Sequence, residues 1–262
     1  MKRVIQNRQI VFLILVFILL HACIPVEAPP TATVQAAVET TIPLSQQVAL
    51  SSISFREQGQ APIYTITAQT PKLTGSDDPR AQAFNRGVEA ILSQEIKYFR
   101  ENVLAQMPVQ SFTVGSSFDA QSTLILQQGN IWSLKFIFSG YADGAAHPYQ
   151  YSMTFNFDLE GGEELSLGDL FPPDSDFLTV ISRYCIAELS KRDIGFYGGF
   201  QQGAEPSMEN YRNWNITADG LLITFDEYQV APYAAGPQTV TVPYGELTSL
   251  INSKSPLALF SR

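Results

Sequence analysis

Few side chains in this sequence could bind a metal or attack a substrate. There are two histidines, His21 and His147, and two cysteines, Cys23 and Cys185. A zinc centre is ordinarily built from several Cys or His ligands, and beyond residue 23 only one of each remains. A Ser-His-Asp arrangement would have to use His147, and no Gly-x-Ser-x-Gly elbow accompanies it. Gly195-Phe196-Tyr197-Gly198-Gly199 lacks the Gly-Lys-Ser/Thr ending of a phosphate loop. Carboxylates are more plentiful: Asp226-Glu227, Glu163-Glu164, the Asp174/Asp176 pair and Asp143. Two of these flanking a sugar could act as a glycosidase pair. Spacing selects none, however, and a charged doublet beside a turn is ordinarily a solvated face. Asp174-Ser175-Asp176 is explained by helix capping without calcium. Cys185 falls on the apolar stripe of a helix, as an inert core thiol does. No catalytic residue, metal or cofactor is assigned, and a non-enzymatic protein is expected.

Cys23 carries a different chemistry. Lys2, Arg3 and Arg8 precede and flank an apolar run from Ile10 to Leu20. That run is too short for a membrane-spanning helix, which needs roughly 20 apolar residues. A cationic start, an apolar core and a small residue before the cut describe a secretory signal peptide over residues 1–22. Its end, Leu20-His21-Ala22-Cys23, resembles a bacterial lipobox. The resemblance implies that Cys23 becomes the lipidated N-terminus of an exported protein, with the membrane as its partner. Ile24 follows the cysteine where lipoprotein sorting would read Asp as retention. The expected place is the outer face of the plasma membrane, or an outer membrane where the cell has one.

The first 22 residues hold three cations and no acids, so the chain's net charge of −9 becomes −12 for the remainder. That balance argues against nucleic acid, whose phosphates require a basic face. It suits a cationic partner, and equally simple solubility. With Cys23 lipidated, Cys185 has no partner for a disulfide, so the fold must rely on its core.

Residues 23–50 read as a Pro/Thr/Ala-rich tether, and order is expected from near Ser52. Ile53–Phe55 and Tyr64–Ala68 alternate as a hairpin, with Glu57–Gln60 as its turn. Asp77-Asp78-Pro79 opens a helix carrying Phe84, Val88, Ile91, Leu92 and Phe99, expected to run to about Gln106. Strands are expected at Phe112–Val114, Leu124–Leu126 and Ile131–Phe138. Tyr149, Tyr151, Met153, Phe155 and Phe157 alternate strictly, which predicts a buried aromatic face opposed by a polar one. A second helix carries Phe177, Leu178, Ile181, Cys185 and Leu189. Asp219-Gly220 marks a hairpin between Asn215–Ala218 and Leu221–Phe225. Val240–Pro243 is a last strand, and Tyr244–Leu250 a closing helix. The fold class is α+β: an antiparallel β-sheet with two main helices packed on it, in two similar or intimately packed halves, 51–140 and 141–252, with a tail over 253–262.

Three stretches together carry a resemblance. They are Tyr141–Pro148 (Tyr-Ala-Asp-Gly-Ala-Ala-His-Pro), then Asn156-Phe157-Asp158 with Gly162 and Leu167–Phe171, and Phe225–Gly236 with Val242-Pro243-Tyr244. They resemble the extracytoplasmic domain of RsiV-type anti-sigma factors that sense lysozyme, and the N-terminal region of PdaC-type peptidoglycan deacetylases. The resemblance implies an RsiV-like half over 141–252 preceded by a PdaC-like half over 51–140. Two departures are expected. Only nine residues precede the apolar run, too few for a cytoplasmic segment that holds a sigma factor. No metal-binding catalytic domain follows before Arg262.

What the resemblance implies is an extracytoplasmic binding module for a lysozyme-like muramidase or a cell-wall ligand. The alternatives are a peptidoglycan-modifying enzyme or accessory domain, and a structural envelope protein. Contacts are expected from Asp143 and His147 in one loop, and from Tyr228, Pro232 and Tyr233 in the other. Tyr233 can be read as a recognition anchor on a constrained backbone, or as a plug at the end of the sheet. Tyr228 is better read as a plug, and His147 as the source of a hydrogen bond within its loop.

Overall fold

A 24-residue helix, α2 (Pro79–Asn102), organises the N-terminal half. The Asp78 carboxylate accepts from the Arg80 N–H at 2.8 Å and Pro79 occupies the first turn, so both expected start signals operate. Ala81, Phe84, Val88, Leu92 and Phe99 form its buried stripe. The α-helix ends at Asn102, and Leu104–Gln106 tightens into a 3-10 turn. In the computed structural model, residues 42–107, 114–251 and 254–260 are described. The expected signal peptide, Cys23, most of the expected tether and the Phe112-Thr113 part of one expected strand lie outside them.

The helix packs on a six-stranded sheet of β1 (Ala49–Gln60), β2 (Ile63–Thr74), β3 (Ser116–Gln128), β4 (Ile131–Tyr141), β5 (Tyr149–Asp158) and β6 (Glu163–Glu164), in that order. The sheet departs from the expected antiparallel pattern once. β2 and β3 run parallel, from Tyr64↔Ser116 to Ala68↔Ala120. The cause is α2 itself: a helix between two strands returns the chain to the starting edge, so the next strand runs the same way. The first hairpin turns at Ala61-Pro62, because Glu57–Gln60 remains paired up to Gln60↔Ile63. Order begins before Ser52. A helical turn, α1 (Leu44–Gln47), buries Leu44, and Val48 follows it into the same core.

One glycine sets the distance between helix and sheet. A Cβ at Gly87, in mid-α2, would stand 2.8 Å from the Phe155 ring. The helix tolerates a residue that costs about 1 kcal/mol relative to Ala because only glycine admits that approach. Around it Phe84 meets Trp132, Phe155 and Phe157 edge-on at 5.3–6.0 Å between ring centres.

A second sheet, β7 (Trp214–Ile216), β8 (Gly220–Phe225) and β9 (Gln238–Pro243), lies on the opposite face of the first. Its outer side packs on α3 (Phe177–Leu189) and the short α4 (Tyr244–Leu247). Ile181, Cys185 and Leu189 are buried there, and burial pushes the Cys185 thiol up to about 12. Asp176 stands at the N-cap of α3, but its side chain makes no capping bond, so that part of the expected cap is absent. The tail contributes too: Leu257 is buried and the Phe260 ring stacks on Tyr244.

The second sheet also extends the reading of β5. Its aromatic face is buried at Phe155 and Phe157, but the polar face is covered as well, with Ser152 and Asn156 nearly inaccessible. They belong to a polar seam between the sheets. Ser133 Oγ donates to Asn156 Oδ1 (2.6 Å), Asn156 Nδ2 to Trp214 O (2.8 Å), and Asn215 Nδ2 to Leu134 O (2.9 Å). Lys135 Nζ donates to Thr224 Oγ1 at 3.0 Å, and burial lowers the Lys135 pKa. The two sheets are therefore packed intimately, across hydrogen bonds as well as apolar contact, and the expected division at 140/141 falls inside the first sheet, where β4 pairs with β5.

Candidate functional site

Two loops meet at one end of these sheets. The first links β4 to β5 and holds Asp143 and His147. The second links β8 to β9 and holds Tyr228, Pro232 and Tyr233. The His147 and Tyr233 rings lie 4.4 Å apart at 33°, and Tyr228 stacks on Tyr233 at 5.8 Å and 29°. Pro148 O accepts from both loops: from His147 Nδ1 at 2.7 Å and from Tyr233 OH at 3.3 Å. A carbonyl can only accept, so Nδ1 carries the proton in this contact. His147 thus makes the loop hydrogen bond expected of it, and it also forms one wall of an aromatic stack.

The stack faces solvent. His147, Pro148 and Pro232 are exposed, Tyr233 is half-buried and Tyr228 is 58% exposed. Tyr228 therefore does not plug the sheet. Its backbone has φ of 65°, an uncommon conformation for a residue with a side chain, and this turns the ring outward onto Tyr233. Asp143 differs from the others in being buried. Its N–H donates to Ser116 Oγ at 3.0 Å, which ties the first loop to the start of β3. Gly195 lies against the second loop, since a Cβ there would be 3.7 Å from the Pro232 ring.

Asp226 sets the relation between the loops. It follows Phe225, the last residue of β8, and its carboxylate accepts from the Ser152 N–H of β5 at 2.9 Å and from Asn213 Nδ2 at 2.9 Å. Arg212 Nη2 lies 3.7 Å away. Burial raises the Asp226 pKa, while its hydrogen bonds from Ser152 and the nearby Arg212 and Lys135 charges act in the opposite direction. The Asp226-Glu227 doublet is thus not a solvated face at Asp226, because that side chain is buried against β5 of the first sheet. Gln229 continues the anchorage, donating through Nε2 to Gly203 O (3.0 Å) and Asn210 O (2.9 Å). The signal for Asp226 was visible as a carboxylate at a strand end. Nothing in the local sequence pairs it with Ser152 or Gln229 with Gly203.

The fold and this loop pair define a class: a two-sheet α+β domain presenting an aromatic face at one end. Residues 168–245 match the family described as "Protein of unknown function (DUF3298)". A solved DUF3298 family structure from Bacteroides fragilis superposes with a TM-score of 0.61 at 16% identity, covering 82% of this chain and 97% of that one. Among curated proteins, the chain is 31% identical over 113 residues to peptidoglycan-N-acetylmuramic acid deacetylase PdaC of Bacillus subtilis, covering 42% of this chain and 24% of that protein. It is 30% identical over 108 residues to the immunogenic protein MPT64 of Mycobacterium tuberculosis, covering 41% and 47%. The chain thus spans less than half the length of these curated relatives. The expected likeness to PdaC stands, and so does the α+β class.

Proposed function

We propose that this protein is an extracytoplasmic binding module of the cell envelope, tethered through lipid on Cys23, which binds through the His147–Tyr233–Tyr228 face. The observation that carries the reading is the meeting of the two loops in one exposed aromatic stack. Rings held by a constrained backbone lose little entropy on binding, so they serve well as anchors. The ligand class we favour is a cationic, wall-acting protein of the lysozyme type. Its charge suits the −12 carried beyond residue 22. Similarity to a protein named for peptidoglycan deacetylation supports an envelope setting.

The test is calorimetric titration of the protein with lysozyme at low and high salt. Saturable binding that weakens with salt, and weakens at least tenfold in Tyr233→Ala, supports the reading, since an aromatic anchor contributes about 2 kcal/mol or more. No heat at low ionic strength refutes the lysozyme assignment. Equal binding by Tyr233→Ala removes this face from it. Release of deacetylated or cleaved sugars from peptidoglycan would instead favour the enzymatic reading.

A further inference from the structure

We infer that Glu95 of α2, with the rings of Tyr98, Tyr149 and Tyr151, is a seat for one guanidinium, as an arginine side chain of a protein ligand presents it. The site lies between the second half of α2 and the start of β5, and goes beyond the function proposed for the aromatic loops.

Glu95 and Tyr98 are three residues apart on α2 and so share a face of the helix. Tyr149 and Tyr151 are two apart on β5 and so share a face of the sheet. The two faces meet. Tyr151 OH donates to Glu95 Oε2, and the Tyr149 and Tyr151 rings stack at 6.2 Å and 14°. Burial first, then the neighbouring Tyr98 hydroxyl and Glu95 carboxylate, push the Tyr149 phenol up to about 12. That phenol stays a neutral ring, whose face attracts a cation. A glycine near the end of β4 makes room for it. A Cβ at Gly140 would stand 2.3 Å from Tyr149 OH, so the ring lies across β4 because that position has no side chain.

The chain contains the completed form of this arrangement elsewhere. Tyr64 OH donates to Glu57 Oε1 at 2.8 Å, and the Arg100 guanidinium bonds the other oxygen, Glu57 Oε2. Glu95 likewise has a tyrosine on one oxygen, but it forms no ion pair among the described residues. The cations nearest to it along the helix are engaged elsewhere. Lys97, two positions on, lies on another face and 3.9 Å from Glu101, while Arg100 is held by Glu57. The Glu95 side is open to a ligand: Glu95, Tyr149 and Tyr151 are half-buried and Tyr98 is 56% exposed. A carboxylate without a cation and ring faces that attract one both select positive charge. A guanidinium meets the two together, since its planar fork donates to a carboxylate while its face stacks on a ring.

The experiment titrates the full chain, labelled with 3-fluorotyrosine and held in neutral detergent micelles, with N-acetyl-arginine methylamide. Fluorine NMR signals are assigned through single Tyr→Phe variants. Saturable movement of the Tyr98 and Tyr149 signals is expected. The citrulline analogue, which keeps the shape and lacks the charge, binds about tenfold more weakly or not at all, and the lysine analogue more weakly than arginine. Glu95→Gln keeps an acceptor for Tyr151 OH and melts like the parent, yet loses about tenfold in affinity. Tyr98→Ala removes an exposed ring and weakens the response of Tyr149 by about threefold. Tyr233→Ala leaves the titration unchanged, which separates this site from the aromatic loops. No saturable movement, equal response to arginine and citrulline, or parent affinity in Glu95→Gln overturns the proposal. Tighter binding of the lysine analogue overturns the guanidinium assignment. Loss of the response in Tyr233→Ala moves the cation to the aromatic loops and overturns the site.

Discussion

Replacing Asp226 by alanine tests whether one buried carboxylate couples the two sheets. The substitution removes the acceptor for the Ser152 N–H and for Asn213 Nδ2, both at 2.9 Å. It also withdraws the negative charge near Arg212 and the half-buried Lys135. A buried donor left without a partner costs about 1–3 kcal/mol. Two of them, partly relieved by water entering the space, predict a loss of about 3 kcal/mol. For a domain of this size that is a fall of about 6–12 °C in Tm, at roughly 2–4 °C per kcal/mol. The pH dependence carries a sign. Burial raises the Asp226 pKa in the folded state, so between the ordinary carboxyl value of about 3.9 and the raised folded value the native state binds the extra proton. Stability contributed by Asp226 is then greatest below that window and falls as pH rises through it. Urea unfolding of parent and Asp226→Ala should therefore show the larger difference at the acid end of the window and a smaller, constant one above it. A variant melting within a degree of the parent would refute the coupling. A difference that grows with pH would show that the Arg212 and Lys135 charges outweigh burial.

Gly87→Ala should destabilise by about 1–3 kcal/mol despite alanine's better helix propensity, because the added methyl overpacks against Phe155; chemical denaturation reads it. Cys185, with its thiol pushed up to about 12 inside the second core, should resist iodoacetamide at pH 8 in the native protein and react on unfolding, as mass spectrometry would show. Cys23→Ala should abolish metabolic labelling with palmitate and release the protein from the membrane fraction; label retained by the variant would sink the lipobox reading.

Local chemistry made several elements legible. The Asp78-Pro79 start of α2, the Asp219-Gly220 hairpin, the aromatic alternation of β5 and the apolar stripe of α3 each follow from contacts a few residues apart, where turn geometry and side-chain period act directly. The loops bearing His147 and Tyr233 were legible in the same way, as Gly- and Pro-containing connections between strands. The parallel β2–β3 pair was not, because strand direction depends on where a 24-residue helix lays the chain down. Nor was the buried polar face of β5. Ser152 and Asn156 have the composition of a solvated face, and only segments distant in sequence, β7 at Asn156 and Asp226 at Ser152, cover them.

The sequence alone determined which residues could serve as aromatic anchors, that the chain carries a net negative charge, and that Cys185 belongs to a core. Tertiary structure decided what those residues do together. His147 and Tyr233 are 86 positions apart in the chain, yet their rings lie 4.4 Å apart. They meet because Asp226 fastens the end of β8 to β5. Hydrogen bonds and packing between distant segments depend on the whole path of the chain, and no local pattern encodes that path.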